Sequence, residues 1–119
     1  MKAQKVMETE NKKILLVEDD DIDIIAFERA VKRGGLNYEI TVNHNANEVF
    51  DMVSKEKFTC IFLDYLLPGS DGLTVLKKIR SLGIHTPVVV VTSQGNEKIA
   101  VEMMKNGALD YITKEEINT

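Results

Sequence analysis

Acidic side chains follow two short apolar runs of the sequence, and their chemistry suits a metal ion and a phosphoryl group. The run Ile14–Val17 ends in Glu18, Asp19 and Asp20, and a second run ends in Asp64. Carboxylates held together repel one another unless a cation compensates their charge. Oxygen ligands select hard cations such as Mg²⁺, which takes one or two carboxylates and shares phosphate oxygens. An aspartate can also act as the nucleophile that accepts a phosphoryl group.

A hydroxyl and an ammonium group follow two further apolar runs. Thr92 and Ser93 come after Val88–Val91, and Lys114 lies near the end of the chain after Ile112 and Thr113. A threonine hydroxyl can donate a hydrogen bond to a phosphoryl oxygen, and a lysine can hold one as a point charge. Phosphoryl transfer depends mainly on positioning and charge neutralisation. These residues therefore predict a phosphoryl-transfer site, provided that the ends of the runs meet.

The pattern of apolar residues predicts the fold that brings these ends together. Strand and helix patterns alternate four times, and a fifth strand follows at Ala108–Ile112. Strands that read as unbroken Val, Ile and Leu runs are buried on both faces, which indicates a parallel sheet between helices. We expect an α/β fold with a doubly wound five-stranded parallel sheet in the flavodoxin-like order 2-1-3-4-5. Ligands of such folds bind at the carboxyl ends of the strands.

Composition excludes several classes of protein. The chain has 119 residues, 44% of them hydrophobic, and a net charge of −4. This is the size of one globular domain, and the negative charge argues against direct nucleic-acid binding. Cys60 is a single cysteine, and no apolar stretch approaches the ~20 residues of a membrane span. We therefore expect a cytoplasmic domain from residue 12 to 119, preceded by a flexible tail at 1–11, with no membrane partner.

Four stretches together resemble the receiver domain of two-component response regulators. They are Ile14–Asp20 (ILLVEDD), Cys60–Gly72 (CIFLDYLLPGSDG), Val88–Ser93 (VVVVTS) and Gly107–Lys114 (GALDYITK). The resemblance implies that Asp64 is the phosphoacceptor and that Mg²⁺ is the cofactor. It further implies the following roles: Glu18, Asp19, Asp64 and the backbone carbonyl of Leu66 as metal ligands, Thr92 and Lys114 as phosphoryl-binding residues, and Tyr111 as an aromatic switch.

The same resemblance implies a function in signalling. A sensor histidine kinase or a histidine phosphotransfer protein would donate the phosphoryl group, and the added charge would switch a partner-binding surface near the fourth helix and the fifth strand. Such a domain is not an enzyme with a separate substrate, since it catalyses only its own phosphorylation and dephosphorylation. The full-length chain could carry an output domain as well.

The end of the sequence departs from the family pattern. Receivers usually have proline after the conserved lysine, with a cis bond, whereas Glu115 follows Lys114 here and a trans bond is expected. Thr113 and Glu116 form a predicted capping box that starts a fifth helix, yet five residues follow Lys114. We therefore expect a domain truncated before or within that helix, with one sheet face partly bare. Homodimerisation or a swapped element would cover this face.

Three other functions are open on the sequence alone. A haloacid-dehalogenase-like phosphohydrolase would use Asp19 as its nucleophile, with Asp21 completing an Asp-x-Asp pattern. A flavodoxin-like flavin carrier is disfavoured because acids stand where a phosphate-binding loop is needed. A degenerate receiver that takes no phosphate is the third. Asp20, Asp21 and Asp23 are interpreted as caps and dipole partners of the first helix.

Overall fold

A parallel sheet flanked by helices on both faces forms the core of the molecule. The computed structural model describes residues 12–35, 37–93 and 95–117. The predicted tail at 1–11 lies outside these residues. Five strands form the sheet, and their spatial order is β2-β1-β3-β6-β7. The strands are β1 (Lys13–Val17), β2 (Glu39–Asn43), β3 (Cys60–Asp64), β6 (Val88–Thr92) and β7 (Asp110–Thr113), while β4 (Leu66–Leu67) and β5 (Ser70–Asp71) form a separate small hairpin.

Five helices connect or follow these strands. They are α1 (Asp21–Arg33), α2 (Ala46–Lys55), α3 (Gly72–Ser81), α4 (Glu97–Lys105) and α5 (Lys114–Ile117). When the five sheet strands are counted alone, their order is the predicted 2-1-3-4-5. The doubly wound α/β fold expected from the apolar runs is confirmed.

The parallel register brings the strand ends to one edge of the sheet. Val17 is paired with Leu63, and Asp64 is paired with Val91. On the next strand, Thr92 is paired with Thr113. All these strands run in the same direction, so the residues that follow them share the carboxyl-end edge. The acids, the hydroxyl and the lysine singled out in the sequence are thereby collected from separate parts of the chain.

The continuous apolar strands are explained by burial on both faces. Leu15, Ile61, Leu63 and Val90 point into one core, which they share with the helices of that face, and each is fully buried. The alternate residues of β1, Ile14 and Leu16, belong to a second core with Ile24 and Phe27 of α1. Because side chains alternate along a strand, a sheet covered twice needs apolar residues at successive positions.

A short final helix is present at the end of the described chain. α5 is a single turn, and its start is the predicted capping box: the backbone N–H of Thr113 donates to Glu116 Oε1 (3.2 Å), and the backbone N–H of Glu116 donates to Thr113 Oγ1 (3.3 Å). Ile117 packs against the second core, and its carbonyl accepts a hydrogen bond from Arg33 Nη2 (3.2 Å). The final helix is therefore present as one short turn within the described residues.

The face covered by α1 and α5 is the less completely packed one. Tyr38, Ile40, Val42 and Phe62 are only partly buried against the second core. An open groove of about 430 Å³ lies there, lined among others by Phe27, Phe62 and Ile117. The expected self-association through this face stays a prediction.

Arg80 joins three segments near the amino-terminal ends of the strands, at the opposite side of the sheet from the acids. Its Nη1 donates to the carbonyls of Ile84 (3.0 Å) and Thr86 (2.9 Å), and its Nη2 donates to the carbonyl of Gly107 (2.8 Å). These contacts connect the end of α3 with the segment before β6 and with the turn after α4. Burial lowers the pKa of Arg80 below its usual range.

Replacing Arg80 by alanine is expected to lower the free energy of unfolding by about 2–3 kcal/mol, because three backbone carbonyls lose a charged donor. Lys77→Ala, on the exposed side of the same helix, is the control and is expected to change it by less than about 0.5 kcal/mol. Urea unfolding followed by circular dichroism measures both values. Equal effects of the two variants would show that the Arg80 contacts contribute nothing specific.

Candidate functional site

Glu18 is fixed at the end of β1 by backbone hydrogen bonds. Its own N–H donates to the carbonyl of Asn43 (3.0 Å), which continues the pairing of β1 with β2 beyond the strand. Its Oε2 accepts from the N–H groups of Asp19 (3.0 Å) and Asp20 (3.2 Å). The side chain is buried. The carboxylate is therefore held in one orientation, and the chain turns around it into α1.

Asp20 caps α1, as the sequence predicted. Its Oδ1 accepts from the N–H groups of Ile22 (2.8 Å) and Asp23 (3.2 Å), which would otherwise lack partners at the start of the helix. Asp19, between the capping residue and Glu18, is exposed at the rim. This turn presents the Asp19 carboxylate to the same edge of the sheet as Glu18.

Asp64 ends β3 and is 5% exposed. Its Oδ1 accepts a hydrogen bond from the N–H of Leu66 (3.4 Å). The β4–β5 hairpin that follows turns at Gly69, whose φ of +73° favours glycine. The hairpin returns the chain so closely that the N–H of Gly72 donates to the carbonyl of Tyr65 (2.6 Å), and a Cβ on Gly72 would lie 3.0 Å from Tyr65 Cα. The glycines of this loop therefore shape the wall beside Asp64.

Three of the predicted metal ligands lie within reach of a single ion. Carboxylate oxygens of Glu18, Asp19 and Asp64 all lie within 4.8 Å of one another. An all-oxygen set of this kind suits a hard divalent cation. The residues present thus form an acidic site that could bind a metal ion. The role of the Leu66 carbonyl as a further ligand stays a prediction.

Lys114 is the cation of the site. Its Nζ lies 2.8 Å from Glu18 Oε1 and 3.4 Å from Asp64 Oδ2, and it also forms an ion pair with Asp23. The bond to Glu115 is trans, as expected, since the described residues contain no cis peptide bond. The family's usual proline is therefore not required here to bring the lysine to the strand ends, because α5 begins directly at Lys114.

The proximity of these charges shifts their pKa values. Burial raises the pKa of Glu18 to about 7, with the neighbouring Asp64 adding to the rise and Lys114 opposing it. Burial also raises the pKa of Asp64 above its usual range, against the hydrogen bonding from Glu18 and the charge of Lys114. Burial alone would lower the pKa of Lys114, but the carboxylates of Asp23, Glu18 and Asp64 outweigh it and the pKa rises. Negative charge on Glu18 and Asp64 is therefore disfavoured by burial, and a neighbouring positive charge such as that of Lys114 favours it.

Thr92 lies on β6 and Tyr111 lies on β7, the two strands that follow β3 in the sheet. Thr92 is buried at the end of β6, next to the strand that carries Asp64. Tyr111 is partly buried in β7 and packs against the first core. These positions agree with the predicted strand-end hydroxyl and the predicted neighbouring aromatic. Their roles as phosphoryl-binding residue and switch stay predictions.

Asp23 is the site residue that the sequence analysis missed. It was interpreted as a dipole partner of the first helix, and it does lie in the first turn of α1. In addition its Oδ2 pairs with Lys114, which is distant in sequence. The available signal was its place in the first turn of α1, directly after the strand end that carries Glu18 and Asp19. No local pattern names the lysine as its partner.

The comparisons with known proteins establish the family. Residues 14–118 match the model of the response regulator receiver domain, so the chain belongs to that family. It is 33% identical over 101 residues to the transcriptional regulatory protein YkoG of Bacillus subtilis, covering 85% of this chain and 43% of YkoG. It is 32% identical over 100 residues to the transcriptional regulatory protein ZraR of Escherichia coli K12, covering 84% of this chain and 22% of ZraR.

The solved structures agree with this assignment. The phosphorylated cyanobacterial phytochrome response regulator RcpA superposes with a TM-score of 0.79 at 26% identity, over 92% of this chain and 90% of that one. The chain spans less than half the length of YkoG and about a fifth of ZraR. The family match does not support the phosphohydrolase alternative with Asp19 as nucleophile. None of the helices formed by the described residues has the length and apolar character that crossing a bilayer requires.

Neutralising Asp64 is expected to stabilise the metal-free protein. Asp64→Asn removes a buried negative charge beside Glu18, so we expect the free energy of unfolding to rise by about 1 kcal/mol. Mg²⁺ should then stabilise the wild type more than the variant, since binding to the folded state adds to stability. Thermal unfolding with EDTA and with Mg²⁺ measures both effects. Asp51→Asn, at an exposed position on α2, is the charge-matched control. A less stable Asp64→Asn in EDTA would contradict the repulsion argument.

Proposed function

We propose that the domain accepts a phosphoryl group on Asp64 and holds it with Mg²⁺ and Lys114. One arrangement carries the proposal: Asp64 is buried at the sheet edge, two other acids can share a cation with it, and Lys114 Nζ lies 3.4 Å from its Oδ2. Mg²⁺ would be held by Glu18, Asp19, Asp64 and the carbonyl of Leu66. When bound, the metal neutralises charge on the carboxylates and on the phosphoryl oxygens.

The donor in this proposal is a phosphohistidine of a sensor kinase or a histidine phosphotransfer protein. A carboxylate oxygen of Asp64 attacks the phosphorus, the phosphorus–nitrogen bond breaks, and the electron pair leaves with the imidazole, which takes a proton from solvent. Thr92 donates a hydrogen bond to one phosphoryl oxygen and Lys114 pairs with another. Hydrolysis ends the signal when water attacks the phosphorus and gives up a proton to solvent; the bond between phosphorus and the Asp64 oxygen breaks, inorganic phosphate leaves, and Asp64 returns as a carboxylate. Both steps are self-catalysed by the domain.

The output is a change in the population of two surface states. Phosphorylation adds about −1.5 to −2 charges at the strand ends. If Thr92 turns toward the phosphoryl group, it vacates space near β7 into which Tyr111 can move. The surface formed by α4 and β7 then changes, and a partner that prefers one arrangement shifts the equilibrium further.

The relatives suggest what this surface controls. YkoG and ZraR are transcriptional regulatory proteins and are longer than this chain. We propose a receiver domain that regulates an output domain of this type, with the receiver itself making no nucleic-acid contact. Cytoplasmic location belongs to the same proposal, because the kinase domain that donates the phosphoryl group must reach Asp64.

Incubation with acetyl phosphate and Mg²⁺ should add one phosphoryl group to the wild-type protein, on Asp64. Intact mass and peptide mapping after borohydride trapping identify the modified residue. Asp64→Asn should remain unlabelled, whereas Asp21→Asn, at an exposed position of α1, should label normally. An adduct on Asp19 would contradict the proposal and support the alternative function, a phosphohydrolase that uses Asp19 as its nucleophile.

Thr92→Ala should separate phosphorylation from its output. Removal of the hydroxyl loses one hydrogen bond to the phosphoryl group, so labelling should slow by about tenfold or less. The NMR resonances of the Tyr111 ring should then shift on addition of beryllofluoride in the wild type and stay nearly unchanged in the variant. Ser93→Ala, at the adjacent exposed position, is the control. Equal shifts of Tyr111 in all three proteins would contradict the coupling.

A further inference from the structure

Lys114 is shared among three carboxylates that hold it to different degrees. Its Nζ pairs most closely with Asp23 and Glu18 and lies furthest, at 3.4 Å, from Asp64. An ammonium group has three N–H donors, so three carboxylates can occupy all of them. A phosphoryl group arriving on Asp64 therefore competes for a donor that another acid already holds.

Asp23 is the partner that can be released at the lowest cost. Its side chain is 31% exposed, compared with 5% for Glu18 and 7% for Asp64, so water can replace the lysine around it. Glu18 is additionally fixed by two backbone N–H groups and belongs to the set of candidate metal ligands, which does not include Asp23. The exchange that frees Lys114 for a phosphoryl oxygen is thus expected at Asp23.

We propose that Asp23 is a resting-state counterion of Lys114 that competes with the phosphoryl group and slows phosphorylation of Asp64. This inference rests on the proposed function, since it needs Asp64 to accept the phosphoryl group. Asp23 acts through Lys114 and is a positioning residue. With acetyl phosphate as donor, an oxygen of Asp64 attacks the phosphorus, and the bond between phosphorus and the acetyl oxygen breaks as acetate leaves with the electron pair.

Two effects of Asp23 act in the same direction. Its carboxylate occupies a donor of Lys114, and its negative charge offsets the positive charge with which Lys114 would otherwise attract an anionic phosphoryl donor. Replacement by asparagine removes the charge and keeps the shape of the side chain. The amide oxygen can still accept a hydrogen bond from Lys114, though more weakly than a carboxylate. Lys114 therefore stays near the site but exchanges partners more easily.

The experiment compares initial rates of Asp64 labelling by acetyl phosphate with saturating Mg²⁺. Asp23→Asn is expected to label faster than the wild type by at least about threefold, as the loss of one competing charge predicts. Asp21→Asn removes the same charge from the same turn of α1 and should leave the rate unchanged. Asp23→Glu keeps the charge and should return the rate to near the wild-type value.

A Lys114→Met background tests whether Asp23 acts through the lysine. There, Asp23→Asn should give no acceleration, because the contact that it removes no longer exists. The inference is overturned if Asp23→Asn labels no faster than the wild type, if Asp21→Asn or Asp23→Glu accelerates labelling as much, or if the acceleration persists without Lys114. Should Lys114→Met label too slowly to measure, the Asp23→Glu comparison decides. A wild-type protein that is never labelled on Asp64 overturns the proposed function instead.

Discussion

The carboxylates of Glu18 and Asp64 are buried side by side, and one lysine, Lys114, contacts both. Such an arrangement is costly without a cation, as the raised pKa values of both acids indicate. The rest of the fold makes it possible. The parallel sheet supplies the strand ends, and apolar burial on its two faces opposes the repulsion, more completely in the first core than in the second. The acidic group formed by Glu18, Asp19 and Asp64 could bind a metal ion, whose charge would offset this repulsion.

Lys114 also connects the acidic site with the first and last helices of the described chain. Lys114 is the first residue of α5 and directly follows β7. Asp23 lies on α1, which packs beside α5 against the second core. The proposed exchange of Lys114 from Asp23 to a phosphoryl oxygen would therefore involve α1 and the start of α5.

Several features of the protein could be predicted from the sequence, because they depend on patterns among residues that are close together in the chain. Unbroken apolar strands alternating with helical patterns indicated a parallel sheet covered on both faces, and the order of its strands was predicted from the common doubly wound arrangement. Glu18, Asp19 and Asp64 stand at or directly after the ends of two neighbouring parallel strands, so their meeting followed from the predicted topology. The capping box of Thr113 and Glu116 was visible in the same way, since it depends on residues three positions apart.

The tertiary structure decided what local patterns cannot encode. The ion pair between Asp23 and Lys114 connects the first helix of the fold with the last one. It depends on how closely α1 and α5 approach each other on the same face of the sheet. The tertiary structure likewise placed the Lys114 ammonium group beside Glu18 and Asp64. The trans bond to Glu115 does not determine that position, because the lysine side chain is long and can rotate about several bonds. The sequence determined which chemistry collects at the strand ends. Only the folded chain determined which carboxylates share the lysine, since that depends on distances between helices that no sequence spacing specifies.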